Sequence, residues 1–101
     1  MRSEINIDEK NKKMLEATEL LKKVSHPTRL AILCTIEKKP LCVGDIVEKL
    51  SHISQPMISQ HLAVLKANRI LADRKEGQFV FYHISDERIL RLIQSMRDIF
   101  C

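Results

Sequence analysis

The chain has 101 residues, of which 45% are hydrophobic, so it has room for one folded domain. Its 17 Lys and Arg against 13 Asp and Glu give a net charge of +4, a mildly basic balance that suits an anionic partner such as a nucleic acid. No apolar run approaches the roughly 20 residues of a membrane span, and residues 1–13 lack the apolar core of a signal peptide, so we expect a cytoplasmic protein without membrane contact.

Two helices are predicted before residue 40. Residues 8–24 place apolar side chains at helical spacing among charged ones, which indicates an amphipathic helix that ends before Pro27. Pro27 then opens a second helix, because its fixed φ and missing N–H suit a first helical turn. This second helix breaks at residues 38–40, which read Lys-Lys-Pro.

Two further helices follow, separated by a short turn. Residues 43–50 form the third helix and residues 51–53 the turn. Ser54 can accept a hydrogen bond from a free backbone N–H, and Pro56 sits in the first turn at little cost, so the fourth helix begins close to Gln55. Helix, short turn, helix is the arrangement of a DNA-binding motif.

The fourth helix has one apolar side and several polar ones. Ile58, Leu62 and Leu65 recur at helical spacing and face a core. The rest of this helix carries Gln, Ser and Lys, which are side-chain types that bond base edges and phosphates. No acidic residue occurs between positions 49 and 72 to repel a phosphate backbone. A solvated polar face without a ligand would have the same composition. The predicted DNA contacts are Ser54, Gln55, Ser59, Gln60, His61 and Lys66.

After residue 69 the pattern changes from helix to strand. Residues 70–74 and 79–84 are rich in β-branched and aromatic side chains, and a glycine between them supplies a tight turn, so a β-hairpin is predicted. The second helix of such a DNA-binding motif, here the fourth helix of the chain, is the recognition helix. A hairpin that directly follows it is a wing. Lys75 and Gln78 are its predicted contacts with the DNA backbone or minor groove.

The last predicted helix, residues 86–100, carries an apolar stripe wider than one small domain needs to cover. We therefore predict that the first and last helices form a homodimer interface. The expected fold is a single domain over residues 1–101, mainly α with a β-hairpin. Its order is four helices, two strands and a fifth helix, a winged helix-turn-helix.

Four motifs resemble the ArsR/SmtB family of bacterial winged-helix repressors and together span nearly the whole chain. They occupy residues 21–30, 43–46, 54–66 and 81–84. The resemblance implies a homodimer that binds a double-stranded DNA operator and releases it when an inducer arrives. We expect neither catalytic residues nor a cofactor.

The resemblance also bears on metal sensing. Members that sense soft metals carry Cys-Val-Cys at the start of the third helix, where two thiolates share one ion. Here Cys42 has no such partner, because Gly44 stands at the second position, so Cys42 is expected to be an ordinary small side chain. Zinc-binding members use the last helix, which here offers Asp86 but has Arg88 and Ile99 where imidazoles belong. No metal site is predicted, and a metal(loid)-responsive repressor is the alternative.

Two other cysteines resemble the pair of a sulfur- and redox-responsive branch that includes BigR, SqrR, YgaV and HlyU. They are Cys34 in the second helix and Cys101 at the end of the last. The resemblance implies a thiol switch that answers sulfane sulfur species or oxidants. The thiolate is the reactive form, and Arg97 one turn before Cys101 favours it, whereas Asp98 opposes it. The alternatives are a buried core residue for Cys34 and a frayed terminal thiol for Cys101.

Two other classes of protein stay open at this point. A thiol redox protein without DNA binding is disfavoured, because the sequence has no Cys-x-x-Cys, no Gly-rich cofactor loop and no acid–base pair beside a cysteine. A winged helix used only for protein contacts differs from a DNA-binding one in the salt dependence of its DNA affinity, which phosphate contacts make steep.

Overall fold

A computed structural model describes the backbone of residues 2–100 and the side chains of residues 8–100. The predicted element order and winged helix-turn-helix are confirmed, with one additional strand. The elements are α1 (Arg2–Val24), α2 (Pro27–Ile36), β1 (Leu41–Cys42), α3 (Val43–Lys49), α4 (Gln55–Ala67), β2 (Leu71–Glu76), β3 (Phe79–Ile84) and α5 (Glu87–Phe100).

The structure differs from the prediction at α1 and β1. Helix α1 begins at Arg2 rather than near residue 8. Residues 2–7 read Arg-Ser-Glu-Ile-Asn-Ile, and their two isoleucines stand two positions apart, so the sequence shows no helical apolar period by which this start could be recognised. Strand β1 has only two residues, too few to show a strand period, and it pairs antiparallel with β3, with Leu41 opposite Tyr82. The sheet order is β1-β3-β2, so the hairpin is anchored to the start of α3 through β3.

Side chains cap the first turns of three helices. The Nδ1 atom of His26 accepts a hydrogen bond from the N–H of Thr28 at 3.1 Å at the start of α2. Ser54 Oγ accepts from the N–H of Met57 at 3.3 Å at the start of α4. Asp86 accepts from backbone N–H groups in the first turn of α5. Each cap contributes about 1 kcal/mol, and together they determine where the helices begin.

Helix α4 ends in a Schellman motif that leads directly into the hairpin. The N–H of Ile70 donates to the carbonyl of Leu65 at 3.0 Å, and the N–H of Arg69 donates to that of Lys66 at 2.9 Å. Arg69 has φ 61, a left-handed conformation usually taken by glycine. Ile70 and Leu65 are both fully buried, which supplies the hydrophobic contact of the motif.

The hairpin turn has two residues. Strands β2 and β3 pair from Leu71 opposite Ile84 to Glu76 opposite Phe79, which leaves Gly77 and Gln78 between them. Gly77 has φ 62, so the turn requires a residue that tolerates a left-handed backbone. Lys75, predicted in the turn, lies in β2 instead.

The core lies between α2, α3, α4, α5 and the sheet. Helix α1 contributes mainly its last turn, since every described side chain from residue 8 to residue 19 is exposed. The molecule is therefore elongated, 58 × 29 × 22 Å. Within residues 2–100, none of the helices has the length and apolar character of a membrane span. The buried apolar residues are Val24, Ile32, Leu33, Ile36, Leu41, Ile46, Leu50, Ile58, Leu62, Leu65, Ile70, Leu71, Ile89 and Ile93.

Candidate functional site

The exposed side of α4 carries most of the polar residues expected to contact DNA. Gln55, Ser59 and Gln60 are exposed. Ser54 is exposed as well, and although its oxygen caps the helix, its O–H can still donate to a phosphate. These side chains offer both hydrogen-bond donors and acceptors, which suits base edges and phosphates alike.

His61 does not lie on this exposed side of α4. We therefore correct the prediction that it contacts the DNA groove. Its side chain is buried, with 9% of the residue exposed, and it lies on the same side of α4 as Ile58 and Leu65. It follows Ile58 by three positions and precedes Leu65 by four, the spacing of neighbours on one helix face. The spacing alone could have shown that the imidazole faces inward.

His61 belongs to a polar cluster where α1, α2 and α4 meet. The Nε–H of Arg29 donates to Nδ1 of His61 at 3.1 Å, and Nη1 of Arg29 donates to the carbonyl of Lys23 at 2.9 Å. The rings of His61 and His26 have centroids 4.4 Å apart and are tilted by 37°. Burial lowers the pKa of His61 below its ordinary value, and the neighbouring His26 and Arg29 lower it further.

Lys66, another predicted DNA contact, has a partner within the protein. Its ammonium donates to the carboxylate of Asp73 in β2 at 2.7 Å, and this bond raises the pKa of Lys66. The pair connects the recognition helix to the wing. It also neutralises Asp73, the first acidic residue after α4, so the carboxylate nearest in sequence to the helix is not an isolated negative charge.

The wing exposes a second set of polar groups. Arg74 and Glu76 form an ion pair of 2.7 Å near the tip. Lys75 and Gln78, the two predicted wing contacts, are exposed, and Lys75 has no ion-pair partner within the part of the chain that the structure describes. The wing thus presents a cationic side chain next to its turn.

The two cysteines of the predicted switch are described unequally. Cys34 is exposed on α2, which excludes a buried core position within the single chain. Cys101 lies outside the described residues. The last turn of α5 is joined to the end of α2 by an ion pair between Arg97 and Glu37. Arg97 also bonds Asp98 at 3.2 Å, so its guanidinium already contacts two carboxylates, which the sequence did not indicate.

The structure also describes the residues considered for metals. The Cys42 thiol donates to the carboxylate of Asp45 at 3.2 Å. Asp86 caps α5 and bonds the Arg88 guanidinium at 2.9 Å, which holds the pKa of Asp86 below its ordinary range. No group of three or more His, Cys, Asp or Glu within the described residues is placed to hold a metal ion.

Sequence reasoning missed the residues that connect the elements. Arg29 makes two bonds across the junction of α1, α2 and α4, and the Lys66–Asp73 and Arg97–Glu37 pairs each join two elements. A periodic pattern carries no signal for such pairs, because the partners are distant in sequence.

Comparison with known proteins identifies the family. The family model described as bacterial regulatory protein, arsR family, matches residues 26–72 of this chain. The biofilm growth-associated repressor of Agrobacterium fabrum is 37% identical over 98 residues, which are 97% of this chain and 83% of that protein. The transcriptional activator HlyU of Vibrio cholerae is 35% identical over 97 residues, 96% of this chain and 89% of the relative.

A solved structure confirms the fold at the level of the whole chain. The transcriptional regulator HlyU of Vibrio vulnificus superposes with a TM-score of 0.90 at 33% identity, covering 95% of this chain and 99% of that one. The chain belongs to the arsR family of bacterial regulatory proteins, as a DNA-binding transcriptional regulator rather than an enzyme.

Proposed function

We propose that the chain is a homodimeric repressor that releases its operator when reactive sulfur species or oxidants link Cys34 to Cys101. The observation that carries this proposal is the ion pair between Arg97 and Glu37. Glu37 follows Cys34 by three positions and Arg97 precedes Cys101 by four, about one helical turn in each case. The pair therefore joins the end of α2, which contains Cys34, to the last turn of α5, which the structure describes up to Phe100.

This ion pair is partly buried, where α2 packs against α5. The Glu37 side chain is 5% exposed and the Arg97 side chain 35%. Partly buried charges are less screened by salt than exposed ones. This supports the proposal that Cys34 and Cys101 are close enough to be linked without a large movement of α5.

The proposed linkage balances in sulfur, hydrogen and electrons. One cysteine thiolate attacks a sulfane sulfur atom of a polysulfide and becomes a persulfide, and the other then displaces hydrosulfide from it. Overall, two thiols and one sulfane sulfur atom give a disulfide and hydrogen sulfide. Each additional sulfane sulfur atom lengthens the bridge by one sulfur.

Helix α1 supports a dimer built from the first and last helices. Its exposed apolar residues include Met14 and Leu15, which are 62% and 64% exposed, and at the end of α5 Ile99 and Phe100 are 73% and 79% exposed. An isolated helix has little stability in water and gains most of it by packing an apolar face. A second copy of the chain would cover these side chains.

A link between the cysteines would reach the DNA through α2. This helix packs against both α5 and the recognition helix α4. Two half-sites of a dimeric operator lie about 34–36 Å apart, one turn of DNA. A shift of α2 that changes the distance between the two recognition helices prevents both from entering the major groove at once.

In the proposed complex, Gln55, Ser59 and Gln60 contact the major groove, and Ser54 donates to a phosphate. Lys75 and Gln78 of the wing contact the backbone or minor groove. A metal(loid) inducer has less support, since the Cys42 thiol is bonded to Asp45 and lacks a second thiol beside it in the third helix.

Repression rather than activation is the proposed outcome of binding. The Agrobacterium fabrum relative is named a repressor and the Vibrio cholerae relative an activator. A repressor acts by occupying the DNA, so the proposal requires that transcription from the target promoter rises when the protein is deleted.

Replacement of Gln60 by alanine tests base readout. Gln60 is exposed near the middle of α4, and a Gln side chain can bond two atoms of an adenine edge. We expect Gln60→Ala to weaken operator binding by about 1–3 kcal/mol, with a much smaller loss on random DNA. Fluorescence anisotropy on both DNAs at one salt concentration measures the difference.

Lys75→Ala is the matched control, because a phosphate contact carries no sequence information. It should weaken binding to the operator and to random DNA alike and reduce the salt slope by about one unit. Equal losses on both DNAs for Gln60→Ala would remove Gln60 from base readout.

A further inference from the structure

Three helices meet at the Arg29 side chain. Its guanidinium bonds the carbonyl of Lys23 in the last turn of α1 and the imidazole of His61 in the recognition helix, while Arg29 itself belongs to α2. These two bonds connect a helix proposed to form the dimer interface with the helix that enters the DNA groove.

We propose that Arg29 positions the recognition helix through His61, and that proton uptake by His61 breaks this contact and weakens specific operator binding in mildly acid solution. The proposal concerns a second input to DNA binding and does not depend on the cysteine switch. His61 is a positioning residue here, because it is buried and acts through the orientation of α4.

The hydrogen-bond pattern requires a neutral imidazole. Nδ1 of His61 accepts from the Nε–H of Arg29, so the ring proton lies on Nε2. A second proton on Nδ1 would place two donors face to face and put a positive charge beside the guanidinium. The neighbouring His26 also accepts through its Nδ1, from the N–H of Thr28, and so caps α2.

The charges around His61 oppose protonation as well. Burial is the largest cause that lowers the pKa of His61, followed by His26 and by Arg29. The carboxylates of Asp45 in α3 and Asp73 in β2, two elements that pack against α4, are bonded elsewhere, to a thiol and to an ammonium. An imidazolium at this position therefore has basic neighbours and no carboxylate bonded to it within the described residues.

The sign of the pH dependence follows from this. In the unfolded chain, or when the contact is open, His61 takes up a proton near its ordinary pKa of 6.5, whereas in the closed contact it does so only at lower pH. The closed contact is thus fully stabilised above 6.5 and loses stability as the pH falls below that value. Because the apparent affinity for the operator scales with the fraction of closed protein, specific binding falls in the same range.

The test compares the wild-type chain with His61→Asn. The Oδ1 atom of asparagine can replace Nδ1 as the acceptor for Arg29, and the amide does not titrate. Affinities for operator and random DNA are measured at about pH 7.5 and about pH 5.5, on either side of the histidine range. At each pH, the ratio of operator affinity to random-DNA affinity cancels the general gain in DNA affinity that protonated histidines cause.

For the wild type we expect the ratio to fall severalfold on acidification and by at most about tenfold, the limit that one titrating group with an ordinary pKa of 6.5 sets at about pH 5.5. His61→Asn should have the same ratio of operator to random-DNA affinity at both pH values. His52→Gln, which removes an exposed histidine, should behave like the wild type. His61→Leu, which packs but cannot accept, should have a low ratio already at the higher pH.

A merely structural His61 gives a different result. In that case the wild type and His61→Asn show the same pH profile, and the proposal is overturned. A His61→Leu protein that discriminates as well as the wild type overturns it too. If His61→Leu does not fold by circular dichroism, the comparison of wild type with His61→Asn still decides, together with the imidazole nitrogen shifts of His61, which must report the Nε2–H form at the higher pH.

Discussion

Serine in place of Cys34 is expected to abolish release of the operator by polysulfide while leaving the DNA affinity of the reduced protein unchanged. Cys34 is exposed on α2 rather than on the recognition helix, and serine replaces its sulfur by oxygen, so the substitution removes the thiol chemistry. In the wild type we expect polysulfide to raise the operator Kd about 5- to 150-fold, the usual range of allosteric coupling. Operator binding is titrated before and after polysulfide, and again after reduction by dithiothreitol.

The remaining cysteines provide the matched controls. Cys101→Ser, like Cys34→Ser, should fail to release the operator, since both thiols are needed for the link. Cys42→Ser should release normally, because Cys42 lies at the start of α3 and its thiol is bonded to Asp45. Release by Cys34→Ser, or failure of Cys42→Ser alone, shows that the proposed pair is wrong.

Glutamate in place of Leu15 is expected to convert the proposed dimer into monomers that no longer hold the operator. Leu15 is 64% exposed in the single chain, so the substitution does not disturb the core. In a symmetric dimer the charge is buried twice, and an uncompensated buried charge costs roughly 3–5 kcal/mol. Each 1.4 kcal/mol is about a factor of ten in the dissociation constant, so dimers should be lost at micromolar concentrations. Sedimentation velocity measures the change.

Leu15→Met is the control for this position, because it keeps an apolar side chain of similar size and should remain dimeric with full operator binding. Circular dichroism should show the same helix content in both variants. If Leu15→Glu sediments as an unchanged dimer, α1 does not contribute this part of the interface.

Much of the DNA-binding half could be predicted from the sequence. Ser54 and Pro56 mark the start of α4 by their capping and backbone chemistry, and Gly77 marks the turn of the wing by its tolerance of positive φ. These signals are local, so they survive without knowledge of the tertiary structure. The amphipathic pattern of α4 likewise predicted its buried apolar residues, Ile58, Leu62 and Leu65.

What the sequence did not predict depends on contacts between distant residues. The carboxylate partner of Lys66 lies in the next element, and β1 pairs with a strand that follows it by about forty positions. His61 is the exception, since its spacing from Ile58 already placed it inside. We predicted a DNA contact because His61 is polar. In the structure its Nδ1 atom instead accepts a hydrogen bond from Arg29 within the protein.

The most direct test of the account is the mass of the wild-type protein that polysulfide has released from its operator. Trypsin separates the three cysteines into peptides 30–38, 39–49 and 98–101, so each link can be assigned. We predict an intact protein that has lost two hydrogens. It has gained no sulfur atom if the link is a disulfide, or one or more if the bridge is longer, and peptides 30–38 and 98–101 are joined. Release of the operator by protein with no covalent change, or with a link that includes peptide 39–49 instead, would contradict the account.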